Sequence, residues 1–246
     1  AGPSRPPPAP ARRPPRLYPE GSIGEAAGEF SFNVITHNLP YLLAAARWTV
    51  MISFAGMLVG LGLGILVCGA RLSRRAWLSS LAAVYISFFR GVPLLVQLLT
   101  FFYILPYIGL DLPATVAAFT SIGMCSAAYN AEILRGSLQA IPAGQKEAAD
   151  ALGIAPFALW RRILIPQALR IGLPSHVNEL ILLVKVSSLA SVVGIGELTR
   201  IAQNITGQTY RPLEIYLATA AVYFVINAII AYAGRLAERR LHARGA

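Results

Sequence analysis

The stretch WTVMISFAGMLVGLGLGILVCG, Trp48 to Gly69, decides the fold, because no charged side chain interrupts it. A helix rises about 1.5 Å per residue and the hydrocarbon core of a bilayer is about 30 Å thick, so roughly 20 apolar residues cross it. Backbone N–H and C=O groups find no water in lipid and must pair within the segment, which favours a helix. The sequence therefore predicts a first membrane-spanning helix at about 48–69.

Glycine recurs at every fourth position of this segment, at Gly56, Gly60 and Gly64. This spacing places the three positions along one face of a helix, where the missing side chains let a second helix approach closely. The alternative is that a membrane helix simply tolerates glycine there. We favour close packing and expect another helix against this stripe.

The rest of the chain is also unusually apolar. Of its 246 residues, 56% are hydrophobic and only 13% are charged, whereas a soluble domain carries about 25% charged residues. The sequence therefore predicts an all-α integral membrane protein with five transmembrane helices. The four further spans are expected at about 77–108 with a break near Pro93, 114–136, 170–193 and 213–233. A loop rich in polar residues, Glu197 to Pro212, is expected before the last span.

Three segments outside these spans have compositions of their own. Residues 1–29 are rich in proline and arginine, which predicts a disordered tail because such a segment buries little apolar surface. Residues 30–46 are mixed and contain Pro40, so we expect an interfacial N-terminal helix that lies along the membrane face. Residues 237–246 are expected to form a basic cytoplasmic tail after the transmembrane domain, 30–236.

The basic residues predict how the chain lies in the membrane, because Lys and Arg are enriched on the cytoplasmic side. The segment after the first span, residues 135–170 and the C-terminal end together hold twelve, whereas only Arg47, Arg200 and Arg211 lie near span ends on the opposite side. We therefore expect the C-terminus in the cytoplasm and, with five spans, the N-terminus outside. Counting 77–91 as a sixth span would place the N-terminus inside.

A short separate helix is predicted in the polar loop 137–166, between the third and fourth spans. Pro142 suits a helix start, the segment that follows it to Leu152 is mostly made of good helix formers, and Gly153 can adopt the left-handed conformation that ends a helix. Alanines keep this helix slim, so a partner can approach its backbone, and Glu147 can make a charged contact. The alternative is an ordinary loop helix. A second helix, from Phe157 to Leu164, is expected to follow and to brace the first against the next span.

The same loop resembles a known motif. Its spacing, Glu147-Ala148-Ala149, then Gly153, then Ile163-Leu164-Ile165-Pro166, is similar to the EAA loop of the membrane subunits of ATP-binding-cassette importers. In that family the loop is a coupling helix that sits in a groove of a separate ATPase and transmits its closure to the membrane helices. The resemblance implies the following contacts with the ATPase: Gln145, Glu147, Ala148, Ala149, Leu152 and Gly153.

Further motifs resemble one branch of these importers, the polar amino acid uptake permeases of the histidine, glutamine and arginine type, which have the type I importer fold. The resemblance covers roughly residues 40–235. The motifs are Arg90-Gly91-Val92-Pro93-Leu94-Leu95-Val96-Gln97, Ala128-Tyr129-Asn130-Ala131-Glu132-Ile133-Leu134-Arg135-Gly136 continuing to Gln145, and Asn178-Glu179 followed by Lys185 and Ser187-Ser188-Leu189. One position departs from the pattern, since Val186 follows Lys185 where the family often has aspartate.

This resemblance implies a subunit of the bacterial cytoplasmic (inner) membrane that forms half of a translocation path for a polar amino acid or related small zwitterion. The implied partners are an ATPase dimer, a second permease subunit of the same or a related chain, an extracytoplasmic substrate-binding protein or domain, and membrane lipid. ATP and Mg²⁺ would bind to the partner ATPase, with no cofactor or metal on this chain.

A polar stripe in the fourth predicted span is the candidate substrate path. Ionisable residues inside a span cost roughly 2.5–3.5 kcal/mol on insertion scales, so Glu179 and Lys185 each require an explanation. In one interpretation the stripe lines a path, with Lys185 holding a substrate carboxylate and Glu179 an ammonium. In the other, the same residues form an internal ion pair or a helix-packing network. The full set of path candidates is Asn178, Glu179, Lys185, Ser187 and Ser188.

Two charged groups elsewhere have local interpretations. Glu132 and Arg135 are three residues apart near the end of the third span, and we expect an ion pair along the helix. Arg90 precedes the break at Pro93, where it would either reach lipid phosphates or cap the break, and we favour the phosphates because long basic side chains extend to the interface.

Several function classes lack the residues they require. There is no Gly-x4-Gly-Lys-Ser/Thr phosphate loop, no His-Glu-x-x-His metal motif and no catalytic set around the three histidines, so the sequence does not predict an enzyme. The basic segments lack interleaved aromatic residues, which argues against nucleic acid. The remaining alternative is an ion-gradient-driven secondary transporter of small polar solutes, which would be expected to carry an inverted repeat that we do not find.

Overall fold

The computed structural model describes residues 30–111 and 113–243, and every regular element in those ranges is helical. The disorder expected for 1–29 and the last residues of the basic tail lie outside the described residues. The helices are α1 (Phe32–Arg71), α2 (Ala76–Gly91), α3 (Leu94–Leu99), α4 (Ala114–Gln139), α5 (Gly144–Ala151), α6 (Pro156–Leu159), α7 (Ile165–Val186), α8 (Leu198–Thr209) and α9 (Pro212–Ala243). Irregular helical turns extend α3 through Thr100–Ile104 and Leu105–Ile108, join α6 to α7 at Trp160–Leu164, and extend α7 through Ser187–Val193.

Three helical stretches of the described chain are long and apolar enough to cross a membrane: Phe32–Arg71, Pro156–Val193 and Pro212–Leu241. A fourth arises if Ala76–Gly91 and Leu94–Ile108, bent by 103° at their junction, count as one span. α4 is not among them. It carries several polar residues and lies inside the bundle, packed against α1, α2 and α7.

The N-terminal segment differs from the prediction of a separate interfacial helix at 30–46. α1 is one continuous helix from Phe32, and Pro40 lies inside it. Its first half packs against α8 and α9, where Leu42 and Ala46 join an apolar cluster with Leu198 and Ile215. These tertiary contacts, which the local composition does not reveal, hold the segment in line with the first span.

The fourth predicted span begins earlier than expected, because no separate helix exists at Phe157–Leu164. The chain is helical from Pro156 to Val193. A π-helical turn, Trp160–Leu164, lies immediately before Pro166, whose ring and missing N–H interfere with regular α-helical hydrogen bonding. The wider turn lets the helix continue past the proline.

Two further elements are longer than the sequence predicts. α9 continues through Ala243, so most of the expected basic tail is helix. α8 occupies a segment that we predicted as a polar loop after Glu197. Glu197 accepts hydrogen bonds from the backbone N–H of Thr199 (2.9 Å) and Arg200 (2.8 Å) and from the hydroxyl of Tyr223 (3.0 Å), which starts α8 and ties it to α9. Burial raises the pKa of the Glu197 carboxyl, and these hydrogen bonds oppose that effect.

The glycine stripe of α1 faces α4, which confirms the predicted close approach. A Cβ added at Gly56 would meet Ile122, and one added at Gly64 would meet the side chain of Asn130 at 2.9 Å. The residue numbers of the contacting positions increase together, from Gly56 and Ile122 to Gly64 and Asn130, so α1 and α4 run in the same direction. The chain returns between them through α2 and α3, so the ends of α1 and α4 lie at one end of the bundle, next to α5.

A substitution at Gly60 should separate these helices. A Cβ there would lie 2.5 Å from Oγ of the buried Ser126, so Gly60→Leu forces α1 away from α4 and should lower the free energy of unfolding by about 1–3 kcal/mol or more. Thermal unfolding of the detergent-solubilised protein measures this loss. Gly62→Leu is the matched control, because nothing lies within 4 Å of a Cβ at Gly62. Equal stability of the two variants would contradict the packing described here.

The break between α2 and α3 has a specific hydrogen-bond donor. Pro93 has no N–H for the carbonyl of Phe89, four residues earlier. The buried Gln97 donates through Nε2 to the carbonyl oxygens of Phe89 (3.0 Å) and Val92 (2.8 Å). Gln97, rather than Arg90, therefore caps the break.

Removing this amide should destabilise the bent pair. Gln97→Leu leaves both carbonyls without that donor, and we expect a loss of about 1–3 kcal/mol in unfolding free energy. Thr100→Val is the control, because the Thr100 hydroxyl only donates to the carbonyl of Val96 within its own turn (2.8 Å). Chemical denaturation of both variants should show a loss in Gln97→Leu alone, and an unchanged midpoint would refute the capping role.

Candidate functional site

The predicted loop helix is present as α5, Gly144–Ala151, and its end is fixed by backbone hydrogen bonds. Gly153 has φ +66°, the left-handed region that glycine adopts without strain. Its N–H donates to the carbonyl of Asp150 (3.1 Å), and the N–H of Ile154 donates to that of Ala149 (2.9 Å). This is a Schellman ending, and it turns the chain sharply towards α6.

One side of α5 packs against the helix bundle. The buried Ala149 lies in an apolar cluster with Ile141, Leu159, Leu164 and Ala168. These residues come from the chain before α5 and from the helical stretch after it, so α5 packs directly against the start of α7.

Two side-chain amides add hydrogen bonds to this packing. Gln145 and Gln167 exchange two hydrogen bonds, of 3.0 and 2.7 Å, between α5 and α7. Of the predicted ATPase contacts, Gln145 and Ala149 therefore face the bundle in this chain.

The other side of α5 is exposed. Glu147, Ala148 and Gly153 are all open to solvent, and Leu152 is 77% exposed. Phe157, just after the turn, is 74% exposed. The surface therefore combines a carboxylate, a slim alanine backbone and two large apolar side chains, as expected of a surface that docks on a protein partner.

The substrate-path candidates on α7 do not lie on one face. Glu179 is only 6% exposed, whereas Asn178 and Lys185 are exposed. Glu179 and Lys185 are six residues apart and hence about 120° apart around the helix axis. The structure therefore does not bring these two side chains together within one chain.

Ser187 and Ser188 lie at the start of the 3₁₀ turn that follows α7. Their hydroxyls donate to the carbonyls of Val184 (2.9 Å) and Lys185 (2.7 Å), three residues back. Ser187 is buried and Ser188 is half-buried. Both hydroxyls donate to backbone carbonyl oxygens at the point where the α-helix changes to the narrower 3₁₀ turn.

A charged cluster connects the break to α4. Both carboxylate oxygens of Glu132 accept from Arg135, at 2.9 and 2.7 Å, which confirms the predicted local pair. Arg90 lies 3.9 Å from the same carboxylate and 5.2 Å from the ring centre of Tyr129, in cation–π geometry. Arg90, whose side chain is 44% exposed, thus lies against α4.

Two cavities meet at Arg90 and Tyr129. The break cavity, about 320 Å³, is lined by these two residues together with Cys125, Glu179 and Leu183. The second cavity, about 420 Å³, lies closer to the α5 end and is lined by both residues and by Glu132, Ser137 and Ser175 among others. The two cavities therefore lie next to each other alongside α4.

Sequence reasoning missed a buried polar contact between α4 and α7. Nδ1 of His176 lies 2.7 Å from Oδ1 of Asn130, whose Nδ2 donates to Oγ of Ser126 (2.9 Å). The amide oxygen must accept, so His176 donates from Nδ1. A histidine three residues from Glu179 on a membrane helix was the available signal, but its partner is 46 positions away in the chain.

Comparison with known proteins assigns the chain to a family. The family model described as binding-protein-dependent transport system inner membrane component matches residues 56–243. The probable amino-acid ABC transporter permease protein YckA of Bacillus subtilis (strain 168) is 37% identical over 220 residues, covering 89% of this chain and 97% of the relative. The glutamine transport system permease protein GlnP of Escherichia coli (strain K12) is 37% identical over 217 residues, covering 87% and 98%.

A solved structure agrees with these relatives. A chain from the crystal structure of an amino acid ABC transporter with histidines aligns with a TM-score of 0.81 at 35% identity. The alignment covers 86% of this chain and 99% of the other. Shared sequence and shared fold therefore extend over nearly the whole described bundle.

Proposed function

We propose, since the chain belongs to the family of binding-protein-dependent transport system inner membrane components, that its substrate is a polar amino acid or a related small zwitterion. The chain is the permease subunit of an ATP-binding-cassette importer of the inner membrane. This family assignment replaces the secondary-transporter alternative. The named substrates of the relatives, amino acids in general and glutamine in particular, support the proposed substrate class.

The single observation that carries the mechanism is the exposed outer face of α5. A carboxylate and two apolar side chains are open to solvent, while Ala149 on the opposite face is buried against the start of α7. In our proposal this face docks in a groove of a separate ATPase dimer, which holds ATP and Mg²⁺. Closure of that dimer moves α5, and the packing of α5 against the start of α7 moves α7 with it.

The proposed topology has five spans, with α4 as the central one and α2 with α3 as one bent span. Most basic residues in the described part of the chain lie at the α5 end of the bundle, including Arg71, Arg161, Arg162 and Arg170. The positive-inside rule then supports a cytoplasmic C-terminus and an external N-terminus. The opposite end would receive substrate from an extracytoplasmic binding protein or domain.

A second permease subunit, of the same or a related sequence, completes the proposed path. Asn178 and Lys185 are exposed on α7, and we assign this exposed face to the boundary with that second subunit. Glu179, by contrast, is assigned to the interior of this subunit because it is buried.

Reconstitution tests the assignment. The permease, its co-purifying ATPase and the binding protein are placed in liposomes and supplied with labelled L-glutamine or L-arginine. Uptake that needs ATP and the binding protein, and that persists without an ion gradient, is the expected result. Uptake that collapses with the gradient but not with ATP removal, or purification without any ATPase, would overturn the proposal.

A further inference from the structure

We propose that an apolar cavity at the α5 end of the bundle holds an acyl chain of an anionic phospholipid from the cytoplasmic leaflet. The inference goes beyond the proposed function, because its ligand is a membrane lipid and not a transported molecule. It uses the proposed membrane orientation, in which the α5 end of the bundle faces the cytoplasm.

The cavity lies where α1 and α4 end and the chain enters α7. Its volume is about 460 Å³, within the ~300–1,000 Å³ range of small-ligand sites. None of the residues that line it carries a charge. Its walls include Gly69 and Leu72 of α1, Leu134 and Leu138 of α4, Trp160 of the π-helical turn, and Leu169 of α7. A lining of this kind suits a hydrocarbon chain.

Gly69 leaves open space on the α1 side of the cavity. A Cβ added at Gly69 would meet nothing within 4 Å, although the neighbouring Cys68 is buried. Ile65 and Leu169 line the cavity from α1 and α7, and both are exposed. The cavity therefore opens between apolar side chains to the surroundings of the bundle.

The mouth of the cavity faces away from the protein partners in the proposed arrangement. An α-helix turns about 100° per residue, so Asn178 and Lys185 lie about 160–180° around α7 from Leu169. We assigned the face with Asn178 and Lys185 to the second permease subunit. The outer face of α5 was assigned to the ATPase, and α5 contributes none of the lining residues. Lipid chains are the surroundings that remain for Leu169.

Arginines lie next to the cavity on two sides. Arg74 and Arg75 follow the end of α1, and Arg161 and Arg162 come directly after Trp160, which lines the cavity. All four arginines are exposed, and none of them pairs with a carboxylate in the described part of the chain. Basic pockets at the cytoplasmic ends of membrane helices bind anionic headgroups. This charge complementarity favours an anionic phospholipid over a zwitterionic one.

Trp160 indicates the depth at which the headgroup would lie. It lines the cavity and is 40% exposed. Tryptophan concentrates at the membrane–water interface, because its ring is apolar and its N–H is polar. Ile65 lies about 10 Å further along α1 from its end than Leu72 does. A chain that passes Trp160 towards Ile65 would therefore run from the interface into the hydrocarbon core.

The cavity also adjoins the contact between α5 and α7. Ala168 lines the cavity and belongs to the apolar cluster that contains Ala149 of α5. Leu138 lines the cavity and packs against the same cluster. A bound acyl chain would fill the space directly beside this contact.

The test measures lipid binding to the purified intact complex by native mass spectrometry. The probes are dioleoyl phosphatidylglycerol and, with the same chains, the zwitterionic dioleoyl phosphatidylcholine. The wild type should bind phosphatidylglycerol more tightly. Gly69→Phe places a ring in the open space and should weaken phosphatidylglycerol binding by about fivefold or more, because the acyl chain loses its packing contacts.

Gly62→Phe is the matched control for the cavity. It lies on the same helix, nothing is within 4 Å of an added Cβ, and it does not line the cavity. Its phosphatidylglycerol affinity should equal that of the wild type. Size-exclusion chromatography verifies that each variant remains in the complex.

A double substitution tests the headgroup contacts. Arg161→Gln with Arg162→Gln should weaken phosphatidylglycerol binding by about tenfold or more and leave phosphatidylcholine binding unchanged. Arg47→Gln with Arg200→Gln is the control, because it removes the same charge from exposed positions assigned to the opposite side of the membrane. This control should bind phosphatidylglycerol as the wild type does.

Four results would overturn the site. They are no phosphatidylglycerol binding by the wild type, equal affinities in Gly69→Phe and Gly62→Phe, equal affinities in the two double variants, and displacement of the lipid by free glycerol phosphate. The last result would mean that the arginines bind a soluble anion rather than a lipid. ATP-dependent uptake tests the proposed function separately, so each of these results leaves that function standing.

Discussion

Gly153→Val should strongly reduce ATP-coupled uptake while the complex continues to hydrolyse ATP. Gly153 has φ +66°, where a β-branched residue is strained, at a cost of about 1–3 kcal/mol. The strain is relieved if the Schellman hydrogen bonds from Gly153 and Ile154 open, which would redirect the chain between α5 and α6. Uptake in liposomes should fall by about tenfold or more, since about 1.4 kcal/mol corresponds to a factor of ten.

The control for this variant is Gly109→Val. Gly109 has a similar φ of +82° but lies in the turn before α4, at the end of the bundle away from α5. It introduces the same kind of backbone strain without altering the exposed face of α5. We expect comparable destabilisation in both variants but loss of the ratio of transport to ATP hydrolysis only in Gly153→Val. A normal ratio there would contradict the coupling role of α5.

Glu147→Lys provides an independent test of the same face, because it reverses an exposed charge without altering the helix end. A carboxylate that docks on a partner should lose that contact, so uptake should fall while thermal stability stays unchanged. Weaker co-purification of the ATPase with this variant would support docking through Glu147. Full uptake by both Glu147→Lys and Gly153→Val would remove the basis of the proposed mechanism.

Asn130→Leu should be among the most destabilising substitutions in the chain. The Asn130 side chain is fully buried, accepts from His176 and donates to Ser126, and its Cβ side faces Gly64 of α1. Leucine would leave the donor of His176 unpaired and crowd the glycine stripe. The combined cost should be about 2–4 kcal/mol, measured as a lower midpoint in thermal or chemical denaturation.

Asn227→Leu is the matched control for this prediction. Asn227 donates only to the carbonyl of Tyr223 within its own helix (2.9 Å), and its Oδ1 is buried without a hydrogen bond. Replacing it removes an unsatisfied acceptor, so its stability should equal or exceed that of the wild type. If both substitutions have the same effect, Asn130 does not link α4 to α7 as described.

The parts of the fold that follow from local chemistry were predictable. Apolar length indicated the long helices, and the residues from Pro142 to Gly153 indicated α5 to within a residue or two. The predicted interfacial helix at 30–46 and the separate helix at Phe157–Leu164 were wrong. In both cases tertiary contacts, or a π-helical turn beside Pro166, extend a helix that the local composition would end.

α8 was missed for a related reason. Leu198, Ala202 and Ile205 have the spacing of one helix face, and they pack against α1 and α9. Many polar residues between them made the segment resemble a loop. Only its packing against apolar residues of α1 and α9 explains why the segment is helical.

The sequence by itself determined the membrane-embedded helical class, the position of α5 and the glycine stripe of α1, because these depend on composition and on spacing within one segment. Only the tertiary structure decided which polar groups meet. The bend at Pro93 and the packing of α2, α4 and α7 bring Arg90 and Glu179 to one cavity and leave Lys185 on another face. Whether residues nearly ninety positions apart line the same cavity depends on helix direction and rotation, which no local pattern encodes.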